Sequence, residues 1–270
     1  MYSSLFLYLR PPMSVPVLNG KGEKVSSVEL PLPFRVPVRE DLIKRVFLSE
    51  FTARLQPKGR DPLAGKRTTA ESLGIGYGVA RVPRIKDSRR AAFIGFAVGG
   101  MATHPPRVEK RIHERVNRKE RVLGTMSALA ATADVELVRG RGHSFSAEAV
   151  PVVVDSAELS SIAKAKQAVG LLKALGVFSD VERAYEGTRW RAGRGKMRGR
   201  RYKEPRGPLV ILEDHRSPAA VALRNLPGVE VVTPRTVSVL HLAPGGVPGR
   251  LTLISSGSIA LLADRFKVNL

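Results

Sequence analysis

Apolar residues change their spacing several times along the chain, and each change predicts an element or its absence. Residues 14–32, SVPVLNGKGEKVSSVELPL, read as a β-hairpin whose turn starts at Asn19-Gly20. Pro33 and Pro37 then break the chain. Over residues 39–55, Leu42, Ile43, Val46, Phe47 and Phe51 fall on one helical face, with Glu40 and Asp41 at the positive end of the helix dipole. From 57 to 106 the pattern dissolves: Gly and Pro are scattered throughout, and no period of 2 or 3.6 persists. A stretch of that length without regular structure far exceeds an ordinary loop. It is not disordered by composition, because it holds Ile75, Tyr77, Val79, Ile85, Phe93, Ile94, Phe96 and Val98. It reads as an extended arm that orders on a partner.

Helical periodicity resumes at Arg107, where Val108, Ile112, Val116, Leu123, Met126 and Ala130 share a face of one long predicted helix. Short apolar runs then alternate with helical patterns. Strands are expected at 150–154, 209–213, 229–233 and 251–255, and helices at 158–175, 218–225, 236–242 and from 255 to Asp264. A short strand or turn is expected at 177–184. The alternation predicts an α/β fold, an open and mainly parallel sheet with flanking helices, plus the long irregular loop. The expected organisation is an N-terminal extension (1–13), a first part of the globular domain (14–56), the extended loop (57–106) and the rest of the globular domain (107–270). The last part carries a basic loop at 189–203. The stretch MYSSLFLYLRPPM lacks a basic n-region and a small-residue cleavage site, so it is not read as a signal peptide. Met13 is read as the functional start, or residues 1–12 as a loose extension, with a packed N-terminal strand as the competing reading.

Charge changes this picture. The 270 residues include 45 Lys and Arg against 24 Asp and Glu, a formal net charge of +21. So large an excess carries self-repulsion in the folded state and points to a polyanionic partner. With 43% hydrophobic residues the chain can bury a substantial core. No apolar run approaches the roughly 20 residues that cross a bilayer, so a soluble chain with no membrane partner is expected. There is no cysteine, which excludes disulfides and thiolate metal sites and fits a cytosolic chain.

An α/β sheet invites a nucleotide-enzyme reading, but the motifs fail. GIGYG (74–78) and GRG (193–195) contain G-x-G, yet Val79 and Arg198 stand where a dinucleotide fingerprint needs its third glycine. Gly65-Lys66 and Gly195-Lys196 are followed by Arg67 and Met197, where a phosphate loop needs Ser or Thr. His104, His113, His143, His215 and His241 include no pair at i, i+4 spacing, so no metal site is expected. SSGS (255–258) is not a nucleophile elbow. Asp155 and Asp214 end predicted strands, where helix capping accounts for them as well as catalysis does. The expectation is a protein with no enzyme activity, no cofactor and no small-molecule substrate.

The positive evidence lies in the basic segments. RWRAGRGKMRGRRYK (189–203) holds eight Lys and Arg, three Gly and no acid. Such density neutralises phosphates and releases counterions, giving affinity that depends on salt more than on sequence. Arginine's planar fork suits phosphates and base edges, and glycine permits close backbone approach. The candidate RNA contacts here are Arg189, Arg191, Arg194, Lys196, Arg198, Arg200, Arg201 and Lys203, with Trp190 and Tyr202 placed to stack on bases. Two further basic regions, 57–90 and 107–121, add Arg107 and Arg111. In RGRGHS (139–144), Arg139, Arg141 and His143 are candidates for phosphate or base contacts. An interfacial membrane helix is not expected, because 189–203 has almost no apolar side.

Several stretches together resemble a universal family, large-subunit ribosomal protein number four of the archaeal and eukaryotic type. They are RWRAGRGKMRGRRYK, VREDLIKRVF (38–47), AGKRTTAESLGIGYG (64–78), ARVPRI (80–85), HPPRVEKRI (104–112), RGHS (141–144), NLPGVEVVTPR (225–235) and LAPGGVPGRL (242–251). The resemblance covers nearly the whole chain from Met13. It implies a structural protein of the large subunit, located with the ribosome in the cytoplasm. Its partners would be large-subunit rRNA and neighbouring ribosomal proteins, and its arm would reach the wall of the peptide exit tunnel and aid assembly. By that pattern Arg81, Arg84, Lys86, Arg89 and Arg90 would anchor or line the tip, and Lys58, Arg60, Lys66 and Arg67 would hold its base. The chain departs from the family pattern at IKDSRRAAF (85–93), where a more glycine-rich tip is expected, and at GIGYG, which replaces a stretch richer in Trp and Arg. The alternative is a free-standing, sequence-tolerant coat for RNA or DNA.

Overall fold

An alternating β1 (Ser14–Leu18), with Val15 and Val17 in the core, and a largely exposed β2 (Lys24–Glu29) build the first hairpin, paired antiparallel in a computed structural model that describes residues 9–267. Its turn is organised by Asn19, whose Oδ1 accepts from the backbone N–H groups of Lys21 and Glu23 at 2.9 Å each. The left-handed position falls on Gly22 (φ 85°), two residues beyond the expected Asn-Gly pair. Of the predicted N-terminal extension, residues 1–8 lie outside the described residues. Leu9 packs against the core, and the Arg10 N–H donates to the Arg35 carbonyl at 2.8 Å.

The chain divides into two compact units. One comprises the residues up to Phe51 and those from Arg115 onward; the other is Thr52–Glu114. In the first unit, helix α1 (Glu40–Ala53) is followed by α2 (Arg118–Thr132) and α3 (Val135–Gly140). Strand β3 (Val152–Val154) leads into α4 (Ser156–Ser160), α5 (Ala165–Ala174) and α6 (Phe178–Glu186). Two-residue strands β4 (Arg189–Trp190) and β5 (Tyr202–Lys203) precede β6 (Leu209–Ile211) and α7 (Pro218–Arg224). The chain closes with β7 (Glu230–Val232), α8 (Val239–Leu242), β8 (Thr252–Ser255) and α9 (Ser256–Arg265). The main sheet has six strands in the order β2-β1-β3-β8-β6-β7, and every pairing except β1 with β2 is parallel. This is the mixed α/β architecture that the alternating pattern predicts.

The sheet is covered on both faces, which explains why β3 and β6 read as uninterrupted apolar runs. Val153, Leu209, Ile211 and Ile254 join a core completed by Ile43, Val46, Leu129, Leu242 and Leu262. The intervening Val152, Val154, Val210 and Leu253 join a second core with Leu159, Leu172, Val181 and Leu223.

Four sequence expectations need correction. The helix expected from Arg107 begins only at Arg118. Arg107, Lys110, Arg111 and Arg115 crowd like charges into its expected first turns, and Val108 stays exposed, so no buried face repays helix formation there. The helix expected at 158–175 breaks into α4 and α5, because Ser160 and Ser161 turn their hydroxyls back onto the Ala157 and Glu158 carbonyls. Residues 177–184 are helix rather than strand, since Val181 and Ala184 meet the core at helical spacing. Finally, neither Asp155 nor Asp214 caps a helix with its side chain: Asp155 stands at the N-cap position of α4 but accepts from Ser256 Oγ at 3.3 Å, and Ser217 accepts from the Ala220 N–H to cap α7.

Candidate nucleic-acid interface

The basic run 189–203 is an ordered ribbon rather than a formless loop. Strands β4 and β5 pair antiparallel, placing Arg189 opposite Lys203 and Trp190 opposite Tyr202. A tight 3-10 turn, Arg194–Arg198, closes the ribbon between two positive-φ glycines, Gly193 and Gly199. The Arg191 N–H donates to the Arg201 carbonyl at 2.8 Å, and its Nε donates to the Arg200 carbonyl at 3.0 Å. So Arg191 braces the ribbon from within. The other cationic side chains point to solvent, and among the described residues none of them pairs with a carboxylate. Trp190 and Tyr202 meet edge-to-face, with ring centroids 5.6 Å apart, and the Arg201 guanidinium lies 5.2 Å above the indole. Each ring remains more than half exposed. The strand pairing thus presents two aromatic surfaces inside a cationic field, where bases could stack.

The unit Thr52–Glu114 holds no helix or strand apart from the last turn of α1, and its legs run beside each other. Glu114 donates its backbone N–H to Thr52 Oγ1 at 3.1 Å. Further along, a Cβ on Gly65 would strike the Gly100 carbonyl at 2.4 Å, so only glycine lets the legs approach there. Isolated bridges join Glu71 to Arg84 and Arg84 to Ala91. Arg84 donates to the Arg89 carbonyl at 2.9 Å, and Arg90 to the Val98 carbonyl at 2.6 Å. These two arginines therefore shape the unit. Arg67 pairs with Asp61 and holds that carboxyl below the ordinary carboxylate range. Lys58, Lys66, Arg81, Lys86, Arg89, Arg107 and Arg111 form no ion pair with a carboxylate among the described residues, while the charge of Arg60 adds to that of Arg67 in lowering Asp61. Ala92 is the one buried residue between Thr52 and Glu114, while Ile75, Phe96 and Val98 are more than 80% exposed.

The RGRGHS candidates divide. Arg139 stacks on Phe145 at 5.6 Å. His143 is buried, its Nδ1 2.8 Å from Asp180 Oδ2, and Arg183 Nε donates to the other oxygen of that carboxylate at 2.8 Å. Burial raises the Asp180 pKa, but these two partners outweigh it and leave the carboxyl below its usual range. Arg141 is half-buried against the 244–248 loop. The fold also gathers three arginines that the charge runs did not mark: Arg183, Arg206 and the fully buried Arg250. Arg206 stands three residues past the basic run and was legible as its extension. Arg250, surrounded by apolar residues, carried no such signal.

Among the described residues no group of three or more His, Cys, Asp and Glu could hold a metal ion. Nor is any helix there long and apolar enough to cross a membrane.

Fold and segments define the class: an open α/β domain that carries strongly basic, weakly self-supported extensions. The chain belongs to the Ribosomal protein L4/L1 family, which it matches over residues 28–265. The resemblance read from its motifs therefore holds. It is 58% identical over 269 residues to a protein of Aeropyrum pernix named large ribosomal subunit protein uL4, an alignment covering 100% of this chain and 99% of that protein. Proteins of the same name from Sulfolobus acidocaldarius and Sulfurisphaera tokodaii are 54% and 50% identical, over 94% and 93% of this chain and 95% and 94% of theirs.

Proposed function

We propose that this chain is a structural constituent of the large ribosomal subunit that binds large-subunit rRNA and acts by binding alone, without catalysis. Family membership and the names of its relatives support the subunit. The observation that carries RNA binding is the unit Thr52–Glu114, which buries a single residue although it contains Ile75, Tyr77, Phe93 and Phe96. Hydrophobic burial does not fix such a segment, and its unpaired cations call for a polyanion that does. In this reading residues 57–106 thread into rRNA and reach the wall of the peptide exit tunnel, ordering during assembly. Arg81, Lys86 and Arg89 meet phosphates near the tip, and Lys58, Arg60 and Lys66 meet them at the base. The ribbon clamps a second rRNA surface, with Trp190 and Tyr202 against unpaired bases. Neighbouring ribosomal proteins complete the surroundings, in the cytoplasm.

The test is sedimentation of a cell lysate at high salt, with mass spectrometry of the large-subunit fraction. One copy per particle is the expected result. Recovery in light fractions, or removal by salt, would replace this reading with a free-standing coat for RNA or DNA. On purified protein, replacing Arg194, Arg198, Arg200 and Arg201 by Ala is expected to weaken RNA binding and flatten its salt dependence. An unchanged slope removes the ribbon from the interface.

A further inference from the structure

Residues far apart in sequence meet in a cleft of about 560 Å³ in the globular unit, lined by Arg141, His143, Arg183, Arg206, Gly140 and the loop around Pro244, Gly245 and Val247. Charge around it is unbalanced. Arg141 donates to the backbone carbonyls of Val247 and, at 2.7 Å, Pro244, and no carboxylate pairs with it among the described residues. Arg183 and His143 share Asp180. Arg206 and Arg250 share Glu230, at 3.5 and 2.7 Å. Four guanidiniums thus stand against two carboxylates, an excess of two positive charges. Burial first, then the charges of Arg250 and Arg183, push Arg141 down to about 10. The adjoining cleft carries Glu40, Asp41 and Glu136, of which Asp41 is engaged by Arg39 at 2.6 Å. A half-buried guanidinium held by carbonyls alone and crowded by like charges favours an anion beside it.

The cleft also has a defined position. Arg183 lies on α6, just before the ribbon, and Arg206 follows it; the Arg183 Nη2 donates to the Arg206 carbonyl at 2.8 Å. One wall of the cleft is therefore the foot of the ribbon. A polyanion lying along β4 and β5 can turn into it past Glu186 and Glu204, both exposed at the foot, the latter accepting from the Gly228 N–H at 2.6 Å. The volume exceeds what a carboxylate needs and accommodates a phosphate with its sugar.

We propose that this cleft binds a phosphate group, supplied by an RNA strand that turns in from the foot of the ribbon. The proposal rests on the RNA-binding reading above and adds to it a site on the globular unit. Gly245 offers a test that leaves the arginines alone. It sits at φ 80°, a conformation Asn and Asp tolerate better than other residues, and a Cβ there meets nothing within 4 Å. Gly245→Asp places a carboxylate at the cleft, and Gly245→Asn is its neutral, near-isosteric control.

Full-length protein would be titrated with a short fluorescent single-stranded RNA, and melted with and without inorganic phosphate. The expected result is RNA affinity about tenfold weaker for Gly245→Asp than for Gly245→Asn, with a shallower salt slope. Phosphate should raise the melting temperature of the Asn variant and not of the Asp variant. If only the phosphate effect separates the pair, the site stands and its ligand is free phosphate rather than a strand. Identical behaviour of the pair in both assays overturns the proposal. The ribbon variant and the unsubstituted protein run alongside separate the two levels: lost affinity in the ribbon variant with equal Gly245 variants sinks the cleft alone, whereas no salt-dependent RNA binding by the unsubstituted protein sinks RNA binding itself.

Discussion

Asp180 shows how one buried carboxylate organises surrounding cations. Its oxygens take His143 Nδ1 at 2.8 Å, Arg183 Nε at 2.8 Å and the Ser144 N–H at 3.1 Å. Burial alone would raise its pKa; the hydrogen bonds to His143 and Arg183 reverse the sign. A depressed carboxyl stabilises the fold at pH values above the ordinary carboxylate pKa, and that contribution drains away as pH falls through the lower folded value. Asp180→Ala is expected to cost about 3 kcal/mol, because it strands a buried histidine and an arginine. Urea unfolding at neutral pH measures the cost. Repeating it in acid should show wild type and variant converging, and a gap that persists there would assign the loss to packing.

Helix α2 illustrates the element scale. Its second half is nearly all small residues, Gly124 to Thr132, and every one of them is buried. At Gly124 an added Cβ would lie 2.7 Å from Val46 Cγ2 and 3.4 Å from the Leu42 carbonyl, so glycine sets how closely α1 and α2 approach. Gly124→Ala is expected to destabilise by about 1–3 kcal/mol through overpacking, although alanine is the better helix former. Thermal unfolding decides between the two effects: a higher melting temperature would mean that the helices separate at little cost. The same helix shows how periodicity misleads. Val108 and Ile112 keep the spacing of a helical face, yet the helix starts only at Arg118, just beyond Val116, the first of that face to pack against the core.

On the scale of the whole chain, the two units are held by different forces. The globular unit has a core on each face of its sheet; the unit Thr52–Glu114 has Ala92. Its ends nonetheless meet, at Thr52 with Glu114 and at Gly59, whose added Cβ would lie 2.6 Å from the Val108 side chain. Replacing residues 57–106 with a short Gly/Ser linker is therefore expected to leave the unfolding transition of the globular unit unchanged within about 1 kcal/mol. Circular dichroism melts would check this. A collapse of the transition would show that the segment stabilises the sheet.

Local pattern was enough for the α/β class, the hairpin, the parallel strands and the helices at 40–53, 218–224 and 256–265, because alternation and helical spacing follow directly from which face is buried. The cationic candidates in 57–90 and 189–203 were legible as well, since charge density is a property of composition. Tertiary structure decided the rest. Whether a helical pattern forms a helix depends on a partner surface, which α6 found and residues 107–115 did not. Pairing of Arg189 with Lys203 turned a run of charge into a ribbon that displays Trp190 and Tyr202. Arg141, Arg183, Arg206 and Arg250 became one charge cluster only when α3, α6, the ribbon's foot and the residues before β8 converged. Contacts between residues distant in sequence leave no local period, so folding alone could reveal them.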